Sequence, residues 1–81
     1  MTNLRTGFRI DLLYPDEYKD FIAEIYYDDK FLCLISQENG VENREMEFDS
    51  DMGQIKVKFA LSDFQDAIKY AIRRLNDLRK T

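Results

Sequence analysis

The side chains of this 81-residue chain that could do chemistry are sixteen carboxylates, twelve lysines and arginines, five tyrosines and one cysteine, with no histidine. Without histidine, neither a Ser-His nor a Cys-His nucleophile pair can be written, and one thiol with no imidazole excludes the usual zinc constellations. Gly7, Gly40 and Gly53 are too scattered for a phosphate-cradling loop or a dinucleotide fingerprint. Asp49-x-Asp51-x-Gly53 has the alternating oxygens with which a calcium loop begins. Its glycine falls one position early, however, and no glutamate stands at the closing position, so it reads as a polar hairpin turn. Two carboxylates could share acid–base work, but nothing in their spacing singles out a pair. Cys33 lies within an apolar run, with no internal disulfide partner and no histidine to activate it, which makes it a small core residue. No catalytic residue, metal or cofactor is expected, and the chain reads as noncatalytic.

Length and charge narrow the partners. Eighty-one residues suffice for one domain, 1–81, with 44% hydrophobic and 35% charged residues, a balance that suits a folded globule. The opening MTNLRTGFRID has no apolar run of signal-peptide length, and the longest apolar run, 31–35, is far short of a bilayer span. A cytoplasmic protein with no membrane partner is the expectation. The formal net charge of −4 and a pI near 4.7 disfavour nucleic acid and anionic membranes and favour encounter with a basic protein.

The elements that must position these charges follow from periodicity. Leu61, Phe64, Ile68, Ala71, Ile72, Leu75 and Leu78 recur at three- and four-residue steps and predict an amphipathic helix over 61–80. Ser62 with Gln65 makes a capping-box pattern; Asp63 and Asp66 open the helix, and Arg73, Arg74, Arg79 and Lys80 close it. Alternating apolar residues predict strands over 8–13, 21–27, 31–36, 44–48 and 55–59, separated by a Pro15-led connection at 14–20, the Asp28-Asp29-Lys30 reversal, the Asn39-Gly40 loop at 37–43 and the turn at 49–53. Pairing Phe48 with Ile55 and Met46 with Val57 would set Glu47 opposite Lys56 and Glu45 opposite Lys58. The sum is an α+β domain: an antiparallel meander of about five strands with one C-terminal helix packed on one face.

In such a meander alternate connections share an end, so 14–20 and 37–43 lie together. A fifth strand over 55–59 would deliver the helix N-terminus to that same end. Asp16, Glu17, Asp20, Glu38, Glu42, Asp63 and Asp66 would then form one acidic pole with Lys19 as its only base and Tyr14 and Tyr18 in its rim. Acids speed encounter with a basic surface and tyrosines anchor it, so these carboxylates and Tyr18 are the expected partner-binding residues.

A small acidic chain of this architecture, with FIAEIYYDDKFLCLISQENG and the helix LSDFQDAIKYAIRRL as the carrying segments, resembles immunity proteins of bacterial toxin systems, including contact-dependent inhibition and related polymorphic toxins. The resemblance implies a noncatalytic inhibitor that binds a cognate toxin domain and covers its working surface. It transfers no individual binding residue. Two other readings stand beside it: a small nucleic-acid-binding or regulatory module working through Lys56, Lys58 and the helix arginines, and a structural subunit that dimerises through a sheet edge, which leaves the chain a monomer or weak homodimer.

Overall fold

The computed structural model describes residues 2–48 and 57–79. Five strands, β1 (Thr2–Asn3), β2 (Phe8–Leu13), β3 (Ile22–Tyr27), β4 (Lys30–Ser36) and β5 (Glu45–Phe48), form one sheet in the order 1-2-3-4-5, every neighbouring pair antiparallel. The helix α1 (Leu61–Arg79) packs on one face, over β2 and β3. This is the two-layer α+β meander that the periodicity predicts, but not from the same five strands.

The inward face follows from the register. Phe8 lies beside Tyr27; Ile10, Ile25, Cys33 and Phe48 form a second row, and Leu12, Ala23, Ile35 and Met46 a third. Period-two alternation puts each row on one face, and burial of a large aliphatic side chain there contributes about 1.5–3 kcal/mol. The unbroken apolar run of β4 has a local cause. Ile25 opposes Cys33 while Tyr26 opposes Phe31, so Leu32 is an extra residue in a bulge, and Leu32 and Cys33 are both buried in the core. On the helix, Ala67, Ala71 and Leu75 stand four residues apart with no exposed surface. Alanines here and at Ala23 leave room for the helix to lie close to the sheet. Leu61, expected in the apolar stripe, is 69% exposed.

The fifth expected strand, 55–59, is corrected. Ile55 and Lys56 lie outside the described residues, as do the 49–53 turn and Lys80, and residues 57–60 have no regular secondary structure. Phe59 is drawn instead into an aromatic cluster, with ring centroids 5.0 Å from Phe8, 5.1 Å from Tyr27 and 5.4 Å from Phe64. Such ring contacts stabilise beyond simple area burial. Val57 and Lys58 accordingly lie beside Tyr27, Asp28 and Lys30, away from Met46 and Glu45. The expected Met46–Val57 and Glu45–Lys58 pairings do not form.

The direction of the helix changes with it. Phe64, in its first turn, packs 5.8 Å from Phe8 at the end of the sheet that carries the β1–β2 and β3–β4 turns. At the other end, the Arg44 guanidinium donates to Asn76 Oδ1 at 2.7 Å near the helix C-terminus. The helix N-terminus is thus opposite the 14–20 and 37–43 connections. Its cap differs as well: the Ala60 carbonyl accepts the amides of Asp63 (3.1 Å) and Phe64 (3.3 Å), which places Ser62 inside the first turn.

Candidate functional site

The connections 14–20 and 37–43 do meet, and side chains hold them together. Both carboxylate oxygens of Glu38 accept the backbone amide of Lys19, at 3.0 and 2.8 Å. The Tyr18 hydroxyl donates to Glu47 Oε2 at 3.2 Å, across to the outer face of β5. Tyr14 donates to the Lys19 carbonyl at 3.0 Å, and its ring packs at a tilt against Phe21 with centroids 4.9 Å apart. In the neighbouring loop, Asn39 donates to Glu45 Oε1 at 3.1 Å, and Asn43 donates to the Asn39 carbonyl at 3.1 Å. Gly40, at φ +96°, turns the chain into a short 3-10 turn over Val41–Asn43 that carries Glu42.

These bonds fold the 14–20 connection onto the sheet face away from the helix. Ile22 shows the effect: by register it faces that outer side, yet it is 2% exposed and stands apart from the main core.

The expected partner-binding residues therefore divide into two groups. Asp16, Glu17, Tyr18, Asp20, Glu38 and Glu42 share the end where the two connections meet. Asp63 and Asp66 do not; Asp66 lines a groove with Leu4 and Thr6, near the β1–β2 turn. Their separation follows from the helix starting at the opposite end of the sheet, with 57–60 outside any strand.

Two carboxylates join the first group that periodicity alone had assigned elsewhere. Glu45 and Glu47 alternate onto the outer face, as their spacing predicts, but Glu47 receives Tyr18 and Glu45 receives Asn39. The signal for them was present in the alternation of 44–48. It was masked by lysines that could be paired with them on paper.

Tyr18 registers the resulting field. Partial burial raises its pKa above the ordinary 10.0, followed by the charge of Glu47, the hydrogen bond to Glu47 and the charges of Glu17 and Glu38. Three carboxylates from three chain segments thus act on one phenol. Tyr14, at the rim, is 58% exposed. The reversed helix also brings Arg44 and Arg74 to this end, so Lys19 is not its only base, and the acids offered to an arginine- or lysine-rich surface are those on the face away from the helix, with two aromatic anchors.

Most of the remaining outer face is taken up by contacts within the chain, although Arg9 Nε and Asp11 Oδ1 meet only as an ion pair at 3.5 Å and make no hydrogen bond. The Arg9 guanidinium sits 4.0 Å from the Tyr26 ring centroid and donates to Asp29 at 3.1 Å. Tyr26 donates to Glu24 at 3.0 Å and meets Phe31 edge-on at 5.6 Å. Burial raises the Tyr26 pKa, aided by the Glu24 hydrogen bond and the charges of Glu24 and Asp11 and opposed by Arg9. Cys33 has no exposed surface, and burial pushes its thiol up to about 11. Among the described residues, no three potential ligand side chains come together to hold a metal ion, and no helix is long and apolar enough to cross a membrane.

Comparison of the chain with protein-family models, curated proteins and solved structures gives no match.

Proposed function

We propose that this protein is a noncatalytic binding protein that presents Asp16, Glu17, Tyr18, Asp20, Glu38, Glu42, Glu45 and Glu47 to a basic protein partner. The observation that carries this reading is the pair of bonds Lys19–Glu38 and Tyr18–Glu47, which fix acids from two connections and a strand into one preorganised surface. Preorganisation lowers the ordering cost of association, and like charges held together steer a cationic partner from a distance. In line with the resemblance to immunity proteins, the partner is a bacterial toxin domain whose working surface is basic, and the protein acts in the cytoplasm as a monomer or weak homodimer.

The nucleic-acid alternative has less support. The basic residues named for it do not form one patch: Lys58 lies beside Asp28 and Lys30 before the helix begins, and Arg73 and Arg74 follow about 18 Å further along the helix axis. The Tyr26 ring, a candidate platform for a base, is already occupied by Arg9 and Phe31. The experiment is affinity capture on the immobilised protein, followed by reconstitution of the purified pair and calorimetry over a salt series. A basic partner whose affinity falls steeply with added salt is expected; a partner of neutral or acidic pI, or an affinity insensitive to salt, would contradict the proposal.

A further inference from the structure

On the side of the molecule away from the acidic surface, a groove of about 440 Å³ runs between the β1–β2 turn and the helix, lined by Leu4, Thr6, Asp66, Lys69, Tyr70 and Arg73. We propose that it binds a small organic anion: an apolar or aromatic body that carries a single carboxylate or phosphate. Its volume falls in the range of small-molecule sites.

Two features of the lining point to that ligand. Lys69 and Arg73 are one helical turn apart and project along the same flank, and among the described residues neither is ion-paired. Asp66 lies in the same lining but does not close on Lys69, so the groove carries a local excess of one positive charge within a chain of net charge −4. Leu4 and Tyr70, both partly buried against the core, supply an apolar wall, and the Arg73 guanidinium is 5.1 Å from the Tyr70 ring centroid. The groove thus sets two cations beside an apolar lining, the juxtaposition that an anion with an apolar body would use.

The chemistry selects a small anion over a polyanion. At physiological ionic strength a bound group responds to charges within about 8 Å, so a compact anion meets the local cations. An extended polyanion would also meet the acids elsewhere on the chain.

Titration of the full chain with phenyl phosphate, benzoate and inorganic phosphate, followed by amide NMR shifts, tests the site. Saturable shifts confined to residues 4–7 and 66–73 are expected with the two aromatic anions, and whichever binds more tightly names the head group. Inorganic phosphate, lacking the body, should bind about tenfold more weakly, and the double variant Lys69→Gln, Arg73→Gln should weaken the aromatic anions by about tenfold or more. Both positions are exposed on the helix and glutamine is a good helix former, so the fold should be retained. Shifts scattered over the surface, equal affinity for inorganic phosphate, or unchanged binding in the double variant would each overturn the proposal.

Discussion

Glu38 reaches across from its own loop and takes the backbone amide of Lys19 on both carboxylate oxygens, at 3.0 and 2.8 Å, so one side chain ties together the two connections that carry most of the acidic surface. Glu38 is thus a structural acid as well as a candidate binding one. Glu38→Ala should lower stability by roughly 1 kcal/mol, the scale of a partly exposed charge-assisted hydrogen bond. Urea unfolding would measure it, and amide exchange at Lys19 should rise in the same variant. An unchanged exchange rate there would show that the bond does not persist in solution.

Tyr18 and Tyr26 make stability depend on alkaline pH. Each phenol has a folded pKa above its unfolded value of 10.0, chiefly through burial. Folding therefore favours the protonated form: this stabilisation is full below pH 10.0 and is lost as pH rises through the folded pKa values. The urea midpoint of the wild type should fall faster than that of Tyr18→Phe, Tyr26→Phe as the pH is raised through 10.0 and above. Parallel pH profiles would remove the two phenols as the cause.

Cys33 should be chemically silent while the protein is folded. It has no exposed surface and a thiol pushed up to about 11, so little thiolate exists at pH 8 and none of it is reachable. Ellman's reagent should react only at the rate of global unfolding, and denaturant should restore one full equivalent. Rapid reaction under native conditions would mean that β4 opens locally.

Gly7 occupies φ +95°, and a Cβ added there would lie 3.3 Å from Cε1 of Tyr27. Both the backbone and the neighbouring ring oppose a side chain. Gly7→Ala should cost roughly 1–2 kcal/mol by urea unfolding. A neutral result would mean that the β1–β2 turn relaxes to a negative φ.

Much of the fold was legible because it depends on local periodicity. The strands at Phe8–Leu13, Ile22–Tyr27 and Lys30–Ser36 alternate visibly, and the helix stripe repeats over nearly five turns. β1, of two residues, is too short to carry a pattern. The alternation of Ile55, Val57 and Phe59 was a true strand signal that tertiary packing overrode at 57–60, where the aromatic partners Phe8, Tyr27 and Phe64 compete for Phe59. That one substitution of packing for pairing placed the helix N-terminus at the opposite end and carried Asp63 and Asp66 away from the acidic surface. The meeting of 14–20 with 37–43 rested only on hairpin parity, which is why that part of the site was readable.

The same division supplies the sharpest test of the proposed function. With the captured partner in hand, binding is measured by calorimetry for two reversal sets: Asp16→Lys, Glu17→Lys, Glu42→Lys, and Asp63→Lys, Asp66→Lys. The first set alters exposed acids of the tied surface, none with a hydrogen bond on which the loops depend; the second alters acids at the far end of the helix. The account predicts at least about a hundredfold loss of affinity for the first and nearly unchanged affinity for the second. Equal losses in both sets, or no loss in the first, would contradict it.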